Sequence, residues 1–181
     1  MKLAFTGVAG SGKDYLVQHL VKKYAYSRVS FSDQLKKLAA MIYPWLERDY
    51  EPITKEKPLN KIVKETGEII TKSPREIWMS LNSLRDVENQ LFLRMAQDQI
   101  KRTMVDNIVI SDIRPKIEYD WCIKNGFKII YVNPLKNIYE PNKFDEQVLP
   151  YKVTADYVFD NDFCGLDRFD KFISEILEES K

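Results

Sequence analysis

The stretch that decides the fold is Leu3-Ala4-Phe5-Thr6-Gly7-Val8-Ala9-Gly10-Ser11-Gly12-Lys13-Asp14. Three apolar residues run directly into a glycine-rich turn. Beyond it, Leu16, Val17, Leu20, Val21 and Tyr24 fall on one face of a helical pattern, so the reading is strand, loop, helix. Gly7 to Lys13 fits GxxxxGK, and its place between a strand and a helix makes the pattern meaningful. Glycines let backbone N–H groups turn inward around an anion, the helix N-terminus adds its dipole, and a lysine can bridge β- and γ-phosphates. The alternative is a glycine-rich connection that holds no ligand.

Strand and helix patterns alternate outward from this loop. Ser27 to Phe31 reads as a strand, and Leu35, Leu38, Ala39 and Ile42 mark a helix that Pro44 ends. Residues 48–74 are rich in Lys, Glu and Pro, with a weak helical segment from about 60 to 70, and read as an insertion or flap. Residues 86–103 read as one long helix, and Asn107 to Ser111 as a buried parallel strand. Pro115 can open a helix running to Lys124, capped by Gly126, before a strand from Phe127 to Val132. Tyr157 to Phe159 reads as a last strand and Leu166 to Leu177 as a closing helix. The expected class is α/β, a three-layer parallel sheet between helices, forming one domain over 1–181 with a helical insertion at about 44–104. Ligands of such sheets lie at the carboxyl ends of the strands.

Candidate site residues follow from that rule. Asp14 stands where a Ser or Thr hydroxyl commonly ligates magnesium; it either holds the metal or simply complements the helix dipole. Asp33, after the second strand, serves equally well as a helix cap or a substrate contact, with Lys36 one turn on. Asp112 follows the Ile108 to Ile110 run, the usual place of an acid that orients magnesium. Arg114 and Glu118 form either an ordinary i,i+4 ion pair or an arginine held for phosphate. Arg75, Arg85, Arg94 and Arg102, with Trp78 and Phe92 among them, occupy the middle segment, and position does not choose between them. His19 is the only histidine and sits between core positions of the first helix, which argues against a Ser-His pair or a histidine metal site.

Taken together, Gly7 to Asp14, Phe31-Ser32-Asp33-Gln34-Leu35-Lys36, and Val109-Ile110-Ser111-Asp112-Ile113-Arg114 with Glu118 resemble the phage-type deoxynucleoside monophosphate kinases. Ala155 to Asn161 is similar to that family's last strand and the Asn after it. The resemblance covers most of the chain and implies a P-loop NTPase fold of the nucleoside monophosphate kinase type. It also implies Mg2+-dependent transfer of the ATP γ-phosphate to a deoxynucleoside monophosphate. It assigns the nucleotide to Gly7, Val8, Ala9, Gly10, Ser11, Gly12, Lys13, Asp14 and Tyr15, and the metal to Asp14 and Asp112. The acceptor falls to Asp33, Lys36, Arg75, Trp78, Arg85, Asp112, Arg114 and Glu118, with Arg85 the better candidate for its phosphate. Lys13, Asp14, Arg85 and Arg114 become the catalytic set. Tyr15 departs from the family's Thr, Asn133 from a frequent Arg, and the His of a His-x-Ser-Glu-like segment is missing near Phe144-Asp145-Glu146.

Composition narrows the partners. The 181 residues carry 28 Lys plus Arg against 27 Asp plus Glu, a net +1, so nothing chain-wide favours a nucleic-acid polymer or an anionic membrane. Cys122 and Cys164 show neither disulfide nor zinc spacing, in keeping with a reducing cytoplasm, or a host cytoplasm for a phage protein. The opening apolar run is too short for a secretory leader. The expected partners are ATP and a small acceptor, with a homodimer left open. Two competing readings remain at this point. One is another small-molecule kinase, for phosphomevalonate or dephospho-coenzyme A. The other is a nucleotide-dependent switch, which the lack of an Asn-Lys-x-Asp motif disfavours.

Overall fold

The computed structural model describes residues 1–51, 53–136 and 145–179. In chain order the elements are β1 (Lys2–Thr6), α1 (Lys13–Tyr24), β2 (Ser27–Val29), α2 (Phe31–Ile42), a 3-10 turn (Thr54–Glu56), β3 (Leu59–Val63), β4 (Ile69–Lys72), α3 (Pro74–Leu81), α4 (Leu84–Val87), α5 (Leu91–Arg102), β5 (Ile108–Ile113), α6 (Lys116–Lys124), β6 (Lys128–Pro134), α7 (Tyr151–Thr154), β7 (Tyr157–Asn161) and α8 (Asp167–Glu179). They fall into two compact units, Met1–Ser30 with Asp98–Lys181, and Phe31–Gln97.

The first unit holds a five-stranded parallel sheet in the order β2-β5-β1-β6-β7. β1 is central, and Leu3, Ala4 and Phe5 are fully buried, because a parallel strand covered on both faces has no solvent side. One layer of the core sets Leu16, Val17 and Leu20 of α1 with Phe169, Ile173 and Ile176 of α8 and with Phe5 and Val132 of the sheet. Asp14 in the first turn of α1 and Lys22 and Lys23 in the last complement its dipole. The strand order reverses at β1, between β5 and β6, which is where a ligand crevice opens in such sheets. Gly126, at φ 74°, follows α6, and the Phe127 N–H returns to the Cys122 carbonyl at 3.0 Å, the expected cap.

The second unit packs Leu35 and Ala39 of α2 against Ile77 and Trp78 of α3 and Phe92 of α5. Here three expectations are corrected. The strand read from Ser27 to Phe31 ends at Val29, and Phe31 opens α2, since its ring shares a helical face with Leu35. The helix expected at about 60–70 is instead the antiparallel hairpin β3–β4. β-Branched Ile62, Val63, Ile69, Ile70 and Thr71 favour strands, and Gly67 turns the chain at φ 84°, with its N–H on the Lys64 carbonyl at 2.9 Å. The long helix read over 86–103 is split, because Glu88 is extended (φ −139°) between α4 and α5. A smaller shift makes Pro115 the N-cap of α6, so the helix begins at Lys116, one residue after the expected start. No helix among the described residues is long and apolar enough to cross a membrane.

Candidate phosphate site

The loop between β1 and α1 is shaped by glycines that no other residue could replace. At Gly7 (φ 140°) an added Cβ would lie 2.5 Å from the Val132 carbonyl oxygen of β6. At Gly12 (φ 88°) it would collide with the Asn161 side-chain amide and come within 3.3 Å of the Phe163 ring. Both positions combine positive φ with close approach, so the motif records geometry as well as chemistry.

Lys13 folds back over this loop. Its ammonium donates to the Gly7 carbonyl at 2.8 Å, the Val8 carbonyl at 2.7 Å and the Ser11 hydroxyl at 3.1 Å. Burial, aided by the charge of Arg114, pushes its pKa down to about 8, while Asp14, Asp145 and Asp112 pull it upward. A buried, incompletely compensated cation is a strong receptor for a polyanion. Asp14 and Tyr15 are exposed at the start of α1.

Two carboxylates end up here for different reasons. Asp112 lies at a bulge: Ala4 pairs with Ile110 but Thr6 with Ile113, so β5 carries one extra residue, which re-aims its side chains. The Ser30 hydroxyl donates to the Asp112 carboxylate at 2.8 Å. Asp145, 1% exposed, comes from a turn distant in sequence and accepts the Ala9 N–H at 2.7 Å and an Arg114 guanidinium N–H at 3.2 Å. Sequence reasoning missed Asp145. The signal available was its spacing to Val148 and Tyr151, both buried, which marks a turn folded onto the core rather than a solvated loop.

Arg114 follows β5, and its N–H lies 3.5 Å from the Glu118 carboxylate, itself 1% exposed. The Tyr151 hydroxyl donates to the Arg114 carbonyl at 3.0 Å. Asn161, at the end of β7, donates from its amide to the Ser11 carbonyl at 2.9 Å and accepts the Phe163 N–H at 3.0 Å. The first unit therefore brings together Gly7 to Lys13, Asp112, Arg114 and Glu118, and adds Asp145 and Asn161. Of the segment Phe144-Asp145-Glu146, where the family's His is missing, Phe144 lies outside the described residues, whereas Asp145 and Glu146 are described.

The remaining candidates belong to the second unit. Lys36 lies 3.7 Å from Asp33 and 3.5 Å from Asp49, with its ammonium 5.3 Å from the centre of the Trp78 ring. Asp33 sits inside the first turn of α2 rather than at its cap. Trp78 is 8% exposed, and its indole N–H is buried without a hydrogen-bond partner among the described residues. Arg75, on the same helix, pairs with Glu56 at 2.8 Å, both half-exposed. Arg85 donates to Asn82 at 3.0 Å and stacks its guanidinium 4.8 Å over the Phe92 ring.

The donor set suits magnesium more than a soft metal. Carboxylates and a hydroxyl are hard oxygen donors, and magnesium keeps several waters, needing one or two protein carboxylates beside substrate phosphates. Among the described residues there is no cluster of three or more His, Cys, Asp or Glu of the kind an all-protein metal cage requires.

No family model and no curated protein matches this sequence. Among solved structures, TT1252 from Thermus thermophilus aligns over 100% of this chain and 98% of its own, at 14% identity and a TM-score of 0.56. Shikimate kinase from Bacteroides thetaiotaomicron aligns over 98% of both chains at 12% identity, with a TM-score of 0.43, too loose a likeness to bear on activity. The parallel sheet, its strand order and the loop after β1 define a P-loop NTPase-like α/β fold.

Proposed function

We propose that this chain is a nucleotide kinase that moves the γ-phosphoryl group of ATP to a deoxynucleoside monophosphate, giving a deoxynucleoside diphosphate and ADP. The observation that carries the reading is the convergence of Lys13 and Arg114 on one glycine-shaped loop, close enough for the charge of Arg114 to depress the pKa of Lys13. The acceptor is a phosphate oxygen already anionic at neutral pH, so the reaction needs alignment and charge neutralisation rather than a general base. His19 agrees with this, since it is tied to Asp170 at 2.7 Å.

In this reading an acceptor oxygen attacks the γ-phosphorus, the bond to the β–γ bridging oxygen breaks, and ADP leaves with that electron pair. Loop amides from Gly7 to Gly12 and the Lys13 ammonium hold the β- and γ-phosphates, with Tyr15 flanking them. Asp14 and Asp112 would hold magnesium, which supplies charge neutralisation to the phosphates. Arg114, backed by Glu118, and Arg85 neutralise the migrating group and the acceptor phosphate. Lys36, Asp33 and Trp78 contact the sugar or base, with Arg75 beside them. The test is ADP release from MgATP with each deoxynucleoside monophosphate, the matching ribonucleotides, phosphomevalonate and dephospho-coenzyme A. Turnover confined to the last two acceptors replaces the proposal with a kinase of another substrate class, and ATP binding without turnover on any acceptor replaces it with a binding module.

A further inference from the structure

We infer that Asp145 is a positioning residue that sets Arg114 for the migrating phosphoryl group, by clamping the arginine and the tip of the phosphate loop on one carboxylate oxygen. The inference rests on the reading of the loop as an ATP site and goes beyond it, because Asp145 belongs to none of the motifs that carry that reading.

A carboxylate in the interior must be held. Asp145 is 1% exposed, and a buried charge persists only when paired and hydrogen-bonded. Its Oδ1 accepts from the Ala9 backbone N–H at 2.7 Å and from the Arg114 guanidinium at 3.2 Å. One atom thus fixes the distance between the loop that cradles phosphates and the side chain that would neutralise them.

The same segment fixes the backbone of Arg114. Val148, three residues on, is fully buried, and its N–H returns to the Asp145 carbonyl at 3.0 Å. Tyr151, stacked on Tyr119 with ring centres 4.0 Å apart, donates its hydroxyl to the Arg114 carbonyl. Arg114 is therefore held at its carbonyl by Tyr151 and at its guanidinium by Asp145, while a third of the side chain stays open to solvent and to a ligand. An arginine set in this way loses little rotamer freedom when phosphate arrives, and its charge needs no reorganisation during transfer.

Asp145→Asn is the discriminating variant, because the amide oxygen can still accept from Ala9 while the negative charge facing Arg114 is lost. Expected is a fall in kcat of about 10- to 100-fold with a several-fold rise in KM for MgATP. In an Arg114→Ala background the same change adds less than about threefold, since the residue it positions is gone. Calorimetric titration gives a readout that needs no acceptor: Asp145→Asn loses several-fold in affinity for MgATP and nothing for ADP. Circular dichroism confirms that the variant is folded. An unchanged kcat, fully multiplicative losses in the double variant, or tighter MgATP binding with kcat intact each overturns the inference, the last by showing that the carboxylate merely occupies a loop amide. A parent protein that binds no MgATP defeats the ATP reading and this inference together, whereas normal parent binding with no effect of Asp145→Asn defeats this inference alone.

Discussion

Lys13 and Arg114 of the first unit and Arg75 and Lys36 of the second are held in different ways. In the first, Lys13 is 9% exposed and bonded to two backbone carbonyls and a hydroxyl, and Arg114 is held by a buried carboxylate. In the second, Arg75 sits half-exposed against an equally exposed Glu56, and Lys36 is shared between Asp33 and an Asp49 that is almost wholly solvated. The Arg75–Glu56 pair, half-exposed on both sides, contributes about 0–1 kcal/mol and re-forms readily with other partners. Under the proposed function, the first unit is the rigid receptor for phosphate, and the Arg75 contact of the second unit is an adaptable one.

The comparison breaks most easily at Lys13. Lys13→Ala should lower turnover by about a thousandfold or more, with the circular dichroism spectrum retained. Near-parental activity would remove the first unit from the chemistry.

Gly12→Ala comes next. The added methyl meets Asn161 in a backbone conformation of φ 88°, so we expect a loss of about 1–3 kcal/mol in urea unfolding and a large loss of MgATP affinity. The equivalent change at Gly67, which has positive φ but open space around it, should cost no more than about 1 kcal/mol and leave nucleotide affinity alone.

The pH dependence of binding tests the buried cation itself. The pKa of Lys13 in the folded chain is about 8, below its ordinary value of 10.5, so between those values the unfolded chain holds more protons. This group's contribution to folding stability is therefore least favourable below pH 8 and improves as pH rises toward 10.5. Phosphate binding runs the other way, because it favours the ammonium. MgATP affinity should fall as pH rises above about 8, with proton uptake on binding, read by calorimetry in two buffers of different ionisation enthalpy. Affinity that is flat from pH 7 to 9.5 would disconnect Lys13 from the phosphates.

The smallest effects belong to the second unit and sharpen its half of the contrast. Arg85, stacked on the buried Phe92, is better fixed than Arg75. Arg85→Ala should raise acceptor KM by about tenfold, and Arg75→Ala by less than about threefold, both with KM for MgATP unchanged. Equal effects would show that burial does not rank these arginines.

The same contrast explains what the amino-acid sequence reveals. β1, its loop and α1 are legible because glycines, an apolar run and a helical face occupy consecutive positions, and Asp112 is legible because it closely follows the apolar run Ile108 to Ile110. The β3–β4 hairpin is not, since more than half of its side chains are exposed and the residues Leu59 to Val63 and Ile69 to Lys72 do not alternate between apolar and polar. Asp145 is hidden for another reason: its partner Ala9 is 136 residues away, and its flanking Lys143 and Glu146 suggest a solvated loop. The bulge that re-aims Asp112 is a property of strand pairing, which no local pattern encodes.

Asn161 carries a consequence for biosynthesis. Its amide secures the Ser11 carbonyl across 150 residues of chain, from the end of the last strand. A nascent polypeptide emerging from the ribosome displays its glycine loop early, yet that loop lacks this fastening until β7 has emerged and docked.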